Sequence, residues 1–329
     1  MIDQDKYLAE IEYLHEKIKD LNGVLWEGRL SHVKLEEWIG NFETEEEKDA
    51  ALYLLSKFVF LNEKSIRMLL IALYRDLYKY PIIEKIRKDN GHTLDEAFIK
   101  AEFKKERDKT LFACVGDTSE SSSHLQYPFR QENKISKSLF VDYERNGSLK
   151  IARTLTRCVF IDDFCGTGEQ VTTNMEVKDK ITYLRKNYPS IKIFYYTLIA
   201  TMKGMKNVEK SGLFDDVDSV YELDESFECF SPVARIFDDD CIFDKNTIEK
   251  MCRKYGVKLM KHFIIEVQRA TLTNSELDKV ANFHSLGFCN CQLLIGMNHN
   301  VPDNTLPIIW YDENHALWKP IFKRANKIY

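Results

Sequence analysis

The sequence predicts an α/β protein with a parallel-sheet core behind a helical N-terminal region, and two observations carry that prediction. From Thr110 onward, short apolar runs alternate with helix-length polar segments, the pattern of strands joined by crossover helices. Within that part the run Cys158-Val159-Phe160-Ile161 leads straight into Asp162-Asp163 and a small-residue loop. Polar groups therefore gather at the carboxyl end of a strand, where ligands bind in open α/β sheets.

Residues 1–109 read as the helical region. Ile11, Leu14, Ile18 and Leu21 recur at helical spacing until Asn22-Gly23 stops the run, and Leu52, Leu55, Val59 and then Ile66, Leu69, Leu70, Leu73, Leu77 repeat similarly. Thr44 before Glu45-Glu46-Glu47 predicts a capped helix start whose acids suit the positive end of the dipole. Pro81 and Asn90-Gly91 punctuate the region, and 93–107 reads as another charged helix. His15, His32 and His92 have no second ligand at helical spacing and read as surface or packing residues.

Residues 110–329 read as the α/β domain. Strands are expected at 110–115, 158–162, 191–200, 219–223 and 291–296, the last joining the same sheet, with a helix-length segment at 168–187.

Composition narrows the function classes. The 329 residues are 44% hydrophobic, enough for a substantial core, and a net charge of −5 offers no global basic excess for nucleic acid. No apolar run approaches the roughly 20 residues of a membrane span, so a soluble cytoplasmic protein is expected, its oligomeric state open. The eight cysteines lack Cys-x-x-Cys spacing and read as reduced thiols, and Cys165 reads as loop filler. The acidic clusters around Asp215 and Asp238 read as solvated loops, so no protein-held metal is expected.

The loop after 158–162 suits a sugar phosphate. Asp162 and Asp163 can accept from ribose hydroxyls, while the backbone N–H groups of Gly166, Thr167, Gly168, Glu169 and Gln170 lie at a helix start where a phosphate can be cradled. A Walker A loop would need a lysine after its glycines, and haloacid-dehalogenase-type phosphatases space their carboxylates Asp-x-Asp; neither fits. An ordinary Asp-rich turn is the plain alternative. One strand earlier, Ser121, Ser122, Ser123 and Arg130 supply hydroxyls and a cation for a diphosphate, or else form a simple serine loop. Near the C-terminus Asn298, Asn300 and Asn304, stiffened by Pro302 and Pro307 and followed by Trp310, place amides where they can face an acceptor base or ribose.

The apolar run, acidic pair and Thr167-Gly168 resemble the 5-phosphoribosyl 1-diphosphate (PRPP) motif of type I phosphoribosyltransferases. With the serine-rich loop and the segment from Asn300 to Trp310, the chain is similar to the phosphoribosyltransferase-like family of bacterial conflict systems. Gln170 stands where many such enzymes carry a small or hydroxylated residue, and Val301 and Asp303 where the family tends to have Thr and Asn. The resemblance implies a type I phosphoribosyltransferase-like sheet, and PRPP or a related nucleotide as ligand with Mg²⁺ carried on its diphosphate. It implies transfer or hydrolysis at the ribose anomeric carbon, and a role in anti-phage defence with an operon partner, in some cases a retron reverse transcriptase and its RNA. A catalytically inactive nucleotide sensor or scaffold is the alternative.

Overall fold

The computed structural model describes residues 4–115, 124–140, 154–238, 241–314 and 316–324. They pack as two units: the described residues up to Glu63 with those from Asp224 onward, and Lys64–Leu223 between them. The composition shift at 109/110 falls inside the second unit.

The first unit is mainly helical. Helix α1 (Gln4–Val24) buries Leu14 and Ile18, one turn apart on one face. Ser31 caps α2 (His32–Ile39), and Thr44 caps α3 (Glu45–Ser56) by accepting from the Glu47 N–H, as its sequence predicts. Val59 does not continue α3: the helix ends at Ser56, and strand β1 (Val59–Leu61) follows. Apolar side chains on both faces of so short a run fit either period, and tertiary pairing decides.

The four tryptophans of the chain, Trp26, Trp38, Trp310 and Trp318, are all buried in this unit. Trp38 and Trp318 both donate their indole N–H to the Ile308 carbonyl, at 2.7 and 3.0 Å. Burying such large rings dominates a core, and satisfying their polar ends fixes how they sit.

In the second unit, α4 (Glu63–Ala72) runs into a π-helical stretch, Leu73–Lys79, and then α5 (Tyr80–Asp89). Pro81 therefore does not stop the helix; it sits in the first turn of α5, just past the widened turn. Proline has no N–H to give and clashes with the carbonyl four residues back, and widening the preceding turn relieves both. Asp95 caps α6 (Glu96–Asp108).

The sheet of this unit contains β2 (Thr110–Cys114), β3 (Arg157–Cys165), β4 (Lys192–Thr201) and β5 (Asp216–Leu223), adjacent in that order and all parallel. All four stand where their apolar runs predict them. Phe112 pairs with Val159 on one side and bridges in parallel to Phe140 on its other, so the chain leaves β2 in one direction and starts β3 in the opposite one. The carboxyl ends of β2 and β3 thus form a topological switch point.

Helices cover both faces. Leu111, Ala113, Phe160 and Tyr195 pack with Val171 of α8 (Glu169–Thr173), Val177, Ile181 and Leu184 of α9 (Met175–Asn187), and Met205 and Val208 of α10 (Met202–Lys210). On the other face, Phe112 meets Tyr78 and Phe129 of α7 (Gln126–Asn133), with ring centroids 5.0 and 5.4 Å away. The expected helix at 168–187 is two, because Asn174 leaves helical geometry to cap α9.

The segment 291–296 is not a fifth strand of this sheet. Gln292 has φ +54°, which breaks extension, and only Ile295–Met297 (β6) forms a strand, paired in parallel with β1 in the first unit. The first unit also holds α11 (Lys245–His262), α12 (Asn274–His284) and the single turn α13 (Pro307–Trp310). All eight cysteines are free thiols, and no helix among the described residues is long and apolar enough to cross a membrane.

Candidate functional site

Strand β3 carries its two carboxylates to the switch point, where Asp162 and Asp163 are only 7% and 4% exposed. They are held differently. Tyr195, one strand over on β4, donates its hydroxyl to Asp162 Oδ2 at 2.8 Å, and the Asp163 N–H donates to Asp162 Oδ1 at 3.0 Å. Both Asp162 oxygens therefore serve the protein. Asp163 Oδ1 accepts from the next N–H, that of Phe164, at 2.8 Å.

Burial, and then the adjacent Asp163 charge, push the Asp162 carboxyl well above the usual range; the hydrogen bonds from Tyr195 and Asp163 oppose that push. Two neighbouring carboxyls that share one buried place favour a single charge between them. Burial also drives the Cys114 thiol at the end of β2 up to about 12, with the Asp162 charge second, so it is no ready thiolate. Cys165 is not loop filler: it ends β3, paired with Ala200 of β4, and is buried in the core under the sheet.

The loop after β3 is locked from behind by the start of α10. Thr201 donates its hydroxyl to the Gly166 carbonyl at 2.5 Å and accepts from the Gly204 N–H at 2.9 Å, and Asn207 Nδ2 donates to the Thr167 carbonyl at 3.0 Å. A trans peptide sets C=O and the following N–H in opposite directions. With both carbonyls turned toward α10, the N–H groups of Thr167 and Gly168 project to the other side.

Close approach makes the lock depend on glycine. A Cβ at Gly204 would lie 2.4 Å from the Gly166 carbonyl oxygen, and one at Gly168, whose φ is +74°, 2.8 Å from the Gly204 oxygen. Glu169 and Gln170 begin α8 and are exposed. Tyr195, Thr201, Gly204 and Asn207 are the residues that sequence reading missed. Their signal was a threonine ending an apolar run with glycine three residues on, the start of a capped helix.

The remaining sequence-expected site residues are not all brought here. Ser121, Ser122 and Ser123 lie outside the described residues. Arg130, on α7, lies over the Phe140 ring at 5.9 Å, its Nε buried without an acceptor among the described residues. Asn298, Asn300 and Asn304 belong to the first unit. Arg29 donates to the side-chain oxygen of Asn298, and Asn300 bridges back to Met297. Asn304 is buried and donates to the Phe288 carbonyl and Cys291 sulfur, both at 3.3 Å, so its amide serves the loop itself. Among the described residues no group of three or more His, Cys, Asp or Glu could hold a metal ion.

Residues 35–324 match the model of the PRTase-CE family. The chain belongs to that family. Its architecture is mixed α/β with a parallel sheet flanked by helices. No curated protein matches the chain.

Solved structures similar to this PRTase-CE chain include the following three. Orotate phosphoribosyltransferase from Aeropyrum pernix is 16% identical with a TM-score of 0.24, covering 36% of this chain and 62% of its own. Xanthine-guanine-hypoxanthine phosphoribosyltransferase of Helicobacter pylori is 7% identical with a TM-score of 0.25, covering 50% and 90%. The AQ2163 protein from Aquifex aeolicus is 12% identical with a TM-score of 0.26, covering 59% and 86%. At such scores overall superposition is poor, and the assignment rests on the family match.

Proposed function

We propose that this PRTase-CE chain binds PRPP or a related nucleotide at the loop after β3 and acts at the ribose anomeric carbon, by transfer or hydrolysis. The observation that carries the reading is the loop held by its carbonyls, which turns consecutive N–H groups outward beside a pair of buried carboxyls. Those N–H groups take the 5′-phosphate. Asp163 accepts from the ribose hydroxyls, and Asp162, tied to Tyr195, fixes its position. Mg²⁺ carried on the diphosphate would supply neutralisation of the leaving group's charge. With PRPP, the C1–O bond breaks with its electron pair going to diphosphate, while a base nitrogen or water forms the new bond at C1 and gives up its proton to the departing diphosphate or to solvent. Negative charge beside the ribose favours the positive charge that develops there.

The family resemblance supports a cytoplasmic role as an effector of anti-phage defence beside a partner such as a reverse transcriptase complex. A second reading is a sensor or scaffold without turnover, favoured by the full use of both Asp162 oxygens within the protein and by Gln170 at the phosphate loop. Calorimetry with PRPP and Mg²⁺, followed by an assay for released diphosphate or base, tests both. Binding with release supports an enzyme, and binding without release a sensor. No PRPP or nucleotide binding overturns the reading.

A further inference from the structure

Asn298 holds a cation in place. Arg29 donates from Nη1 to the Asn298 carbonyl at 3.3 Å and from Nη2 to the Asn298 side-chain oxygen. Its guanidinium lies over the Phe60 ring, 5.5 Å from the centroid. Phe60 stacks on Phe322 at 5.2 Å, and Lys34 Nζ lies 5.7 Å from the centre of that second ring. Both rings are buried, so two cations are anchored on one aromatic pair. Lys323, next along the chain, is the third cation and pairs with Asp312 at 3.0 Å. All of these residues belong to the first unit.

The cluster is crowded as it stands. Lys34 is half-buried, and its ammonium has no hydrogen bond or ion pair among the described residues. Burial, and then the Lys323 and Arg29 charges, push that ammonium below the usual lysine range, with Asp312 opposing. Lys34 also stands in the first turn of α2, which carries no acid, so a cation faces the positive end of the helix. The two acids of α2 lie elsewhere, Glu36 beside His32 and Glu37 beside Lys319.

Charge selects the ligand. Arg29, Lys34 and Lys323 bring three positive charges and Asp312 one negative, a surplus of two. A carboxylate or a phosphodiester carries a single charge and leaves one cation unbalanced, whereas a phosphate monoester carries about −1.5 to −2 near neutral pH. Arg29 keeps N–H donors beyond those that Asn298 accepts, and they suit phosphate oxygens, with the two ammonium groups acting as point charges.

We propose that Arg29, Lys34 and Lys323 bind a phosphate monoester, at a site built wholly within the first unit. The test is chemical acetylation of the full chain in phosphate-free buffer, with Lys34 read by mass spectrometry on its own peptide. A crowded ammonium gives up its proton readily, so Lys34 should label in the free protein. Inorganic phosphate should hold the charged form and slow labelling about tenfold, and acetate at equal ionic strength should not. Adenosine 5′-monophosphate and adenosine separate the sources: protection no better than phosphate marks free phosphate as the ligand, and stronger protection marks the phosphate of a larger molecule. Adenosine itself should give none. Arg29→Gln, and separately Lys323→Gln, both at exposed side chains, should each remove most of the protection, with melting curves to confirm folding. The proposal is overturned if Lys34 resists labelling in the free protein, or if neither phosphate nor the monophosphate protects it. Equal protection by acetate or adenosine, or full protection in either folded variant, overturns it as well.

Discussion

Two loops, Gly166 to Gly168 and Asn298 to Asn304, both offer polar groups in the sequence but hold them in opposite ways. In the first, the protein holds the carbonyls of Gly166 and Thr167 from behind and turns the intervening N–H groups away. In the second, side-chain amides bind the protein itself: Asn298 takes Arg29, and the buried Asn304 donates to Phe288 and Cys291. Glycine pins both, since a Cβ at Gly287 would lie 2.2 Å from the Asn304 oxygen, much as one at Gly204 would meet Gly166. Polar residues alone do not mark a ligand loop. The direction in which the backbone donors are left facing does.

The largest effect should come from Gly204→Ala. Its Cβ would meet backbone oxygens at 2.4 and 2.9 Å, neither the end of a flexible side chain, so the lock must open. A loss of about 3 kcal/mol or more is expected, at the upper end of overpacking costs, together with PRPP affinity. Chemical denaturation and calorimetry read the two effects, and an unchanged melt would show that the loops are not distinguished by this lock.

Asp163→Asn should change chemistry without changing the fold. Removing the charge while keeping the volume should lower turnover about 100-fold, as for loss of one electrostatic group in a reacting site, with a melting temperature near wild type. Full activity in a normally folded variant would remove Asp163 from the site.

Tyr195→Phe separates the two carboxyls. Asp162 loses a buried hydrogen bond, so stability should fall by about 1–3 kcal/mol. The Asp162 carboxyl is raised from 3.8 by burial and then by Asp163, so the folded state holds its proton more tightly than the unfolded one. The sign follows: this group's contribution is most favourable at low pH and declines as pH rises from about 4 toward the raised value. Subtracting the pH–stability curve of Asp162→Asn from that of wild type should show this decline, and a flat difference would refute it.

Asn304→Ala is the smallest and the sharpest contrast. It should cost about 1–2 kcal/mol by leaving the Phe288 carbonyl short of a donor, and it should leave PRPP affinity unchanged. If PRPP binding weakens instead, the second loop shares in the site and the contrast fails.

Much of the second unit was legible because its physics is local. A strand buried on both faces must be a continuous apolar run, so β2, β3 and β4 announce themselves, and the acidic pair marks where β3 meets the loop. The lock from α10 was not legible: Thr201, Gly204 and Asn207 act through carbonyls more than thirty residues away in sequence. The β1–β6 pair escaped for a related reason. Val59 fits a helical period equally well, and Gln292 breaks an otherwise convincing strand by its backbone angle alone.

The pairing of Val59 with Ile295 also sets an order in time. All the described strands and helices of the unit Lys64–Leu223 come off the ribosome before β6 does. At roughly 5–20 residues per second, the more than two hundred residues between the partners take on the order of 10–50 s to make. Through that interval β1 has no β6 to pair with, while the loop unit, continuous in sequence, is already complete enough to fold. During synthesis, then, the unit from Lys64 to Leu223 matures first, and the tryptophan-rich unit closes only once β6 has been made.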